Sequence, residues 1–377
     1  MNNITENRSI NSAYMRFAKL DTAARFNLAS SGVADCALAD IAPDAADLVL
    51  HGDNVYGWPP LAQAIADRFG VDPACVVIPG GGCSFANHLA MAAILAPGEE
   101  ALIEAPTYEL LVATLSYLGA TIRTFPRTFE TAWRLDPEIV ARELSPATRL
   151  VVITNLHNPS SARAAEAEIR AIADAAPGAL VMVDEVYLEL TFADGAARTA
   201  FREDGNIVVT SSLTKAYGLS GLRCGWILAP APLAERMRGL NDLFAAKPAH
   251  IAERLALVAL GRLDELRERA LALTDANRAA YREILGAHPA LEQVPPEAGT
   301  IVFPKLKRGD AEGFFRLLKT RFETSVVPGH FFGAPEHIRI GLGGDPAMTR
   351  EGLARLAEAL TLWEESSSPS GRGRDAP

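Results

Sequence analysis

The sequence has few cysteines and no long apolar run. Its four cysteines, Cys36, Cys75, Cys83 and Cys224, form no CxxC pair and have no histidine spacing suited to zinc. We therefore expect a reduced chain that holds no metal. No apolar stretch reaches the ~18 residues of a membrane span. The first residues also lack the apolar core of a signal peptide, so we expect a cytoplasmic protein.

Basic residues are outnumbered by acidic residues. The chain has 36 Lys+Arg against 46 Asp+Glu, a net charge of −10. This balance argues against nucleic acid as the main partner, because phosphate backbones are bound by basic faces. Hydrophobic residues make up 49% and charged residues 22%, which excludes disorder over most of the chain. The 377 residues are enough for two or three domains of ~150 residues each.

Helix-like and strand-like segments alternate from about residue 60 onward. Helical patterns cover 61–70, 84–96 and 108–119, and apolar strand patterns cover 75–82, 100–106, 121–126, 149–159, 179–190 and 206–215. Strands that are apolar on both faces, separated by helices, predict an α/β fold with a mostly parallel sheet covered by helices.

The C-terminal part of the chain has a different pattern. Long helical segments at 233–245 and 251–286 precede short strands at 299–306, 324–329 and 336–343, which predicts a smaller α+β domain. We expect an N-terminal segment (1–45) that joins this domain, a large domain (46–275), the small domain (276–365) and a disordered low-complexity tail (366–377).

A glycine-rich segment, SSLTKAYGLSGLRCGW (211–226), carries the densest group of reactive side chains. It follows an apolar strand and places Lys215 between the hydroxyl of Ser212 and the guanidinium of Arg223. Desolvation or a nearby cation lowers a lysine pKa, and the neutral amine then attacks aldehydes. A hydroxyl with a guanidinium suits a phosphate dianion. The alternative is a surface lysine in a glycine-rich loop.

Asp184 ends another apolar run, VMVDEVY, which also contains Tyr187. The carboxyl ends of parallel strands border the ligand crevice of such sheets. An aspartate there needs a cation to offset its desolvation, and a protonated pyridine nitrogen would be one. The alternative is an aspartate that caps a helix.

Further positions near element ends have both a ligand-binding and a structural interpretation. Asn158 follows a strand, where its amide would either donate a hydrogen bond to a phenolate oxygen or form part of an ordinary Asn-Pro turn. Cys83 and Ser84 follow three glycines at a helix start, which suits an anion or a plain strand–helix connection. Tyr108 suits stacking on a flat cofactor or core packing. Arg339, in an apolar strand, needs an anion, either a substrate carboxylate or an internal partner.

In order and chain position, these elements resemble the fold-type-I enzymes that use pyridoxal 5′-phosphate, most closely the class I and II aminotransferases. The resemblance spans roughly residues 25–360. It implies a large domain with a seven-stranded, mostly parallel sheet between helices, and a smaller α+β domain. It also implies a homodimer with shared active sites that acts on an amino acid and a 2-oxo acid, without a nucleic-acid or membrane partner.

The resemblance also implies roles for the cofactor-binding residues. Lys215 would form the internal aldimine with pyridoxal phosphate and shuttle the proton between Cα and C4′. Asp184 would keep the pyridine nitrogen protonated, which makes the ring an electron sink. Asn158 and Tyr187 would hydrogen-bond the ring oxygen, and Tyr108 would stack on the ring.

The same resemblance assigns the anionic groups of cofactor and substrate. The phosphate would be held by Cys83, Ser84, Ser212 and Arg223. Arg339 would grip the substrate α-carboxylate with a bidentate fork, beside Gly32 and Asn158.

The sequence departs from the family at two places. Many members have Asn-Pro-Thr-Gly where this chain has NPSS (158–161), so the loop lacks a glycine. The family also has a tyrosine that reaches the phosphate of the neighbouring subunit, and here only Tyr56 and His51 are near the matching position. Candidates for a substrate side-chain pocket, with core packing as the alternative, are Tyr14, Phe17, Tyr56 and Trp58.

Three functions are compatible with this pattern. The leading hypothesis is an aminotransferase that moves an amino group from an L-amino acid to a 2-oxo acid. The second is another pyridoxal-phosphate reaction, such as β-elimination, substitution or cyclisation, because these share the cofactor residues. The third is a non-catalytic regulatory or binding module. Lys215 and the net charge of −10 argue against it.

Overall fold

The computed structural model describes residues 11–192, 196–294 and 297–367. The α-helices are α1 Ala13–Leu20, α2 Leu38–Ile41, α3 Pro59–Phe69, α4 Gly82–Ile94, α5 Glu109–Tyr117, α6 Pro137–Glu143, α7 Glu166–Ala175, α8 Thr214–Tyr217, α9 Ala231–Asn241, α10 His250–Leu260, α11 Leu263–Leu285, α12 Ala311–Phe322 and α13 Pro346–Ser367. The strands are β1 Phe26–Asn27, β2 Val76–Val77, β3 Glu100–Ala105, β4 Thr121–Pro126, β5 Thr148–Thr154, β6 Leu180–Asp184, β7 Ile207–Ser212, β8 Gly225–Leu228, β9 Leu291–Glu292, β10 Ile301–Val302, β11 Lys305–Leu306, β12 Thr324–Ser325, β13 Val327–Pro328 and β14 Ile338–Gly341.

Seven strands form the central sheet, in the order β2-β8-β7-β6-β5-β3-β4. The neighbours from β7 through β6, β5 and β3 to β4 are parallel, whereas β8 runs antiparallel to both β7 and β2. The prediction of an α/β fold with a mostly parallel seven-stranded sheet is therefore confirmed.

Both faces of this sheet are buried, as the apolar strand patterns predict. Along β5, Val151 and Ile153 belong to a hydrophobic cluster on one face, while Leu150 and Val152 belong to a cluster on the other. The helices α3, α10 and α11 contribute to the first cluster, and α4 to the second. The sheet is held rigidly between helices, so the strand ends that carry the functional residues are fixed in position.

A third hydrophobic cluster lies among α1, α12, α13 and the short strands β13 and β14. The long helix α11 links it to the sheet, since Leu266 belongs to the first cluster and Tyr281 and Leu285 to the third. The proposed domain boundary at residues 275 and 276 therefore falls inside an unbroken helix.

Several elements are shorter than the sequence pattern predicts. The strand expected over 179–190 ends at Asp184, and the helix expected over 251–286 is interrupted around Gly261. The residues before position 11 and most of the predicted tail, 368–377, lie outside the described part of the chain. Within the described ranges, we find no helix that is both long and apolar enough to span a membrane.

Candidate active site

The carboxyl ends of β5, β6 and β7 open onto a cavity of about 350 Å³. Polar and aromatic side chains from both halves of the sequence surround it. The lining residues are Tyr14, Met15, Ala18, Thr22, Asn27, Ala29, Ser30, Ser31, Cys83, Ser84, Asn87, Tyr108, Thr154, Asn158, Asp184, Val186, Tyr187, Thr214, Lys215 and Arg223. Of the predicted site residues, Ser212, Gly32 and Arg339 lie outside this lining.

Lys215 lies in α8, directly after β7, and lines the cavity wall. Burial, together with the positive charges of Arg339 and Arg223, lowers the pKa of Lys215 to about 8. Gly32 packs against its stem: a Cβ at Gly32 would lie 3.3 Å from Lys215 Cδ. A substantial fraction of the amine is therefore neutral near physiological pH and able to act as a nucleophile.

Asp184 ends β6 and is buried, and it is held by three donors. Its Oδ2 accepts a hydrogen bond from Asn87 Nδ2 at 2.7 Å. Its Oδ1 accepts from the Val186 N–H at 3.1 Å and lies 3.4 Å from the Cys83 thiol. Burial leaves the pKa of Asp184 raised overall, and the hydrogen bonds from these donors offset part of that effect. The carboxylate is thus placed to pair with a cation in the cavity.

The start of α4 forms an anion-binding corner of the cavity. The helix begins at Gly82, so the backbone N–H groups of Cys83 and Ser84 lie in its first turn, where anions are favoured. Arg223 Nη2 donates to the carbonyl of Gly81 at 2.6 Å, which holds the guanidinium beside this turn. A Cβ at Gly225 would lie 2.9 Å from Cys83 N, so only glycine permits β8 to approach the turn this closely.

Two hydroxyls complete this corner. Ser212 Oγ accepts from the N–H of Thr214 at 3.3 Å. Thr214 Oγ1 is buried at the cavity and has no hydrogen-bond partner within the described residues. A buried hydroxyl without a partner is unfavourable unless a ligand supplies one, so this corner suits an anionic group with several oxygens.

Two further predicted tyrosines border the cavity. The Tyr187 hydroxyl donates to Ser31 Oγ at 2.9 Å, and burial raises the pKa of Tyr187, which keeps the phenol protonated. Tyr108 precedes α5 and its ring meets that of Tyr14 edge to face, with centroids 5.2 Å apart. Burial also raises the pKa of Tyr108. Both rings are therefore neutral and fixed in orientation.

Arg339 is fully buried in β14, and its guanidinium joins three segments of the chain. Nη1 donates to Asn158 Oδ1 at 3.1 Å, and Nη2 donates to the Tyr14 hydroxyl at 2.8 Å and the Ala29 carbonyl at 3.0 Å. Its Nε is buried and lacks a partner among the residues that the structure describes. Its contacts are all neutral, so the positive charge remains available to an anion beside Asn158.

The structure shows where the two departures from the family pattern lie, the missing glycine in residues 158–161 and the missing tyrosine near residue 52. Ser161, which replaces the usual glycine, has φ of 63° in the left-handed region and donates from Oγ to the Ile301 carbonyl at 2.8 Å. Neither His51 nor Tyr56 lines the cavity, and both are exposed at the surface. The serine hydroxyl bond supports a backbone conformation that otherwise favours glycine.

The four aromatic candidates for a substrate pocket separate in the structure. Tyr14 lines the cavity, whereas Phe17 is buried in the third hydrophobic cluster. Trp58 packs against the first cluster, and Tyr56 is 54% exposed. Of these four, Tyr14 alone is placed to meet a ligand.

Sequence reasoning missed Asn87, Thr214 and Ser31 as cavity residues. Two of them lay inside motifs that were examined. Asn87 follows Cys83 at a helical i, i+4 spacing, which places both on one face of α4, and Thr214 precedes Lys215. Ser31 gave no local signal, because its role depends on contact with a distant tyrosine.

Comparison with known proteins identifies the chain's relatives. The family profile described as aminotransferase class I and II matches residues 41–360. The chain is 29% identical to capreomycidine synthase of Streptomyces vinaceus over 304 residues, covering 80% of this chain and 78% of that protein. It is 30% identical to the arginine–pyruvate transaminase of Pseudomonas aeruginosa over 347 residues, covering 85% and 86%.

Solved structures show the same architecture. A PLP-dependent aminotransferase from Streptococcus suis superposes with a TM-score of 0.85 at 22% identity, covering 93% of this chain and 96% of that one. The PLP-dependent cyclase OrfR superposes with a TM-score of 0.81 at 26% identity, covering 93% and 97%. The overall fold is therefore shared with enzymes that carry out different reactions.

Proposed function

We propose, on the premise that this chain belongs to the class I and II aminotransferase family and uses pyridoxal phosphate, that it transfers an amino group from an L-amino acid to a 2-oxo acid. The observation that carries this proposal is Lys215, whose amine has a pKa of about 8 in the wall of a cavity that also contains Asp184. Arg339 contacts the cavity residues Asn158 and Tyr14, and its buried Nε has no partner among the described residues.

The residues present fit the cofactor. The partnerless hydroxyl of Thr214 and the first turn of α4 suit its phosphate, with Arg223 beside them. Asp184 suits the pyridine nitrogen. When bound, pyridoxal phosphate supplies an aldehyde that condenses with amines and a ring that takes up the electron pair left at Cα.

Each residue then has a defined task. Lys215 would hold the cofactor through its aldehyde, and its amine would remove the proton from the substrate Cα and return one. Asp184 holds the positive charge on the pyridine nitrogen. Asn158 and Tyr187 would hydrogen-bond the ring oxygen, and Tyr108 would lie against the ring.

The remaining residues hold the anionic ends of cofactor and substrate. Cys83 and Ser84 present backbone N–H groups to the phosphate, and Ser212 keeps the turn between β7 and α8 in place through its bond to Thr214. Arg339 binds the substrate α-carboxylate, for which Asn158 is the adjacent donor, and Gly32 leaves room beside the Lys215 stem.

Amino transfer is tested by a donor and acceptor screen. Purified enzyme with pyridoxal phosphate is incubated with single L-amino acids and either pyruvate or 2-oxoglutarate, and both new products are quantified. We expect the new amino acid and the new 2-oxo acid in equal amounts. Lys215→Ala should abolish the exchange, and Lys307→Ala, at an exposed position, should leave it unchanged. Exchange that persists in Lys215→Ala would contradict the assignment.

A ring-forming reaction is the second candidate, because the chain superposes on a PLP-dependent cyclase at 26% identity. Such a reaction uses the same proton removal by Lys215 but consumes no 2-oxo acid. The screen separates the two: loss of the amino acid without an acceptor, and without a 2-oxo acid product, would favour cyclisation. Equal formation of both transfer products would exclude it as the main activity.

We further propose that the protein is a homodimer. Leu50, Val55 and Leu243 are 69%, 63% and 77% exposed, and the Tyr56 hydroxyl lies 3.5 Å from Asp242 Oδ2, which brings residues 56 and 242 side by side. Large apolar side chains exposed near one another favour an association surface. Light scattering should give twice the chain mass of 40.2 kDa, and a fully active monomer would refute this.

A further inference from the structure

Asn87, a residue of α4, lies between Asp184 and the hydroxyl of Thr210 on β7. It is 4% exposed, and Thr210 is fully buried. Asn87 Nδ2 donates to Asp184 Oδ2 at 2.7 Å, and the Thr210 hydroxyl donates to Asn87 Oδ1. The relay therefore runs from Thr210 through the amide to the carboxylate at the cavity.

The direction of these bonds defines the charge state that they support. Because Thr210 supplies the hydrogen for the amide oxygen, the amide NH₂ is left to face Asp184. An NH₂ group donates and cannot accept a hydrogen bond from a carboxyl proton, so it stabilises the ionised carboxylate more than the protonated form. The Val186 N–H and the Cys83 thiol also donate to this carboxylate.

Electrostatics agree with this geometry. Burial raises the pKa of Asp184, and the bond from Asn87 is the largest of the effects that lower it. The bonds from Val186 and Cys83 and the charge of Lys215 follow in that order. Without Asn87, the buried carboxyl would more readily keep a proton of its own.

We propose that Asn87 is a positioning residue for the reaction: with Thr210 behind it, it keeps Asp184 ionised and thereby keeps the shared proton on the pyridine nitrogen of the bound cofactor. Asn87 acts through Asp184 and does not itself react. The inference rests on the proposed role of Asp184, but it holds for transfer and for ring formation alike.

The test observes the pyridine nitrogen directly. Holoenzyme is prepared with cofactor labelled with nitrogen-15 at the ring, and the chemical shift is recorded at neutral pH. We expect the protonated position in the wild type and a movement toward the unprotonated position in Asn87→Leu, because the proton transfers to the more basic Asp184. The turnover number should fall by about 10- to 100-fold, the factor for a lost charge-assisted hydrogen bond, while KM for the amino donor changes little.

A second pair of variants covers the possibility that Asn87→Leu does not fold. Thr210→Val removes the donor to the amide oxygen, and Thr210→Ser keeps it. We expect Thr210→Val to move the nitrogen signal in the same direction and Thr210→Ser to leave it at the wild-type position. Asp184→Asn serves as the reference for loss of the carboxylate.

The outcomes are separable. If Asp184→Asn leaves the nitrogen signal protonated, the role of Asp184 is wrong and the inference fails with it. If Asp184→Asn moves the signal but folded Asn87→Leu and Thr210→Val do not, the inference alone is overturned and Asn87 serves only to fill space. An absence of amino transfer in the substrate screen affects neither result, because the readout needs no substrate.

Discussion

Replacing Arg127 should destabilise the protein and disturb the site, although Arg127 does not touch the cavity. Arg127 and Glu104 form an ion pair at 2.8 Å in which both side chains are 0% exposed. Glu104 Oε1 also accepts from the N–H of Thr154 at 2.8 Å, and Thr154 Oγ1 accepts from the N–H of Asn158 at 3.0 Å. The pair is therefore connected to Thr154, which lines the cavity, through one hydrogen bond and to Asn158 through a second.

Arg127→Met leaves the Glu104 carboxylate buried without its cation. Breaking one side of a buried pair costs about 3–5 kcal/mol, and the Trp133 carbonyl also loses its bond from Arg127 Nε at 2.7 Å. Burial raises the pKa of Glu104, and the charge of Arg127 is the largest effect that opposes it. The variant should therefore raise that pKa further and take up a proton.

This proton uptake gives the loss of stability a defined pH dependence. The folded variant holds a proton that the unfolded chain releases above about pH 4.3. Unfolding then releases a proton, so the free energy of unfolding decreases as the pH rises through this window. The deficit relative to wild type should be smaller at about pH 5 than at about pH 8.

Urea denaturation followed by tryptophan fluorescence measures this deficit. Arg123→Met is the matched control: Arg123 lies on β4, four residues before Arg127, and its partner Glu143 is 3.1 Å away, but their side chains are 37% and 40% exposed. That variant should lose no more than about 1 kcal/mol at either pH. Equal losses for the two variants, or a deficit for Arg127→Met that shrinks as the pH rises, would refute the reasoning.

Two further predictions concern the cofactor corner. Gly225→Ala should weaken pyridoxal phosphate binding at least 10-fold, as measured by equilibrium dialysis, because its Cβ would press on the backbone at the start of α4. In the control variant Gly221→Ala the new Cβ meets nothing within 4 Å, so this variant should bind the cofactor normally. Equal affinities of the two variants would contradict the prediction. Arg223→Gln should raise the pKa of Lys215 above its value of about 8 by removing a nearby positive charge. The extent of Lys215 acylation in the cofactor-free protein is measured by peptide mass spectrometry at several pH values. Arg223→Gln should need a higher pH than the wild type for the same extent of acylation, whereas the surface variant Arg316→Gln should follow the wild-type pH dependence.

Much of the fold could be predicted from the sequence because the patterns that indicate strands and helices are local. Each strand of the central sheet is a short apolar run, and burial on both faces follows from helices on either side. Lys215 and Asp184 were found in the same way, since each directly follows or ends such a run, and parallel strand ends meet at one edge. The sequence indicated that desolvation or a nearby cation would lower the pKa of Lys215, but it did not give the size of the shift.

Residues whose roles depend on distant contacts were not accessible from local patterns. Asn87 and Asp184 are 97 positions apart, and Arg339 and Tyr14 are 325 apart. The sequence left open whether Arg339 meets a substrate carboxylate or an internal anion, and the structure shows that its hydrogen-bond partners within the chain are neutral oxygens of Asn158, Tyr14 and Ala29. Nothing in the strand that holds Arg339 specifies these partners.

The sequence by itself therefore determined the class of fold and the cofactor and singled out Lys215 as the candidate to receive it, because these inferences depend on periodicity and on motifs within single segments. Only the tertiary structure decided the electrostatic surroundings of the site: which donors face Asp184, which neutral oxygens surround Arg339, and how far the pKa of Lys215 falls. Charge states depend on burial and on the summed field of neighbours from separate segments, and those distances exist only once the chain has folded.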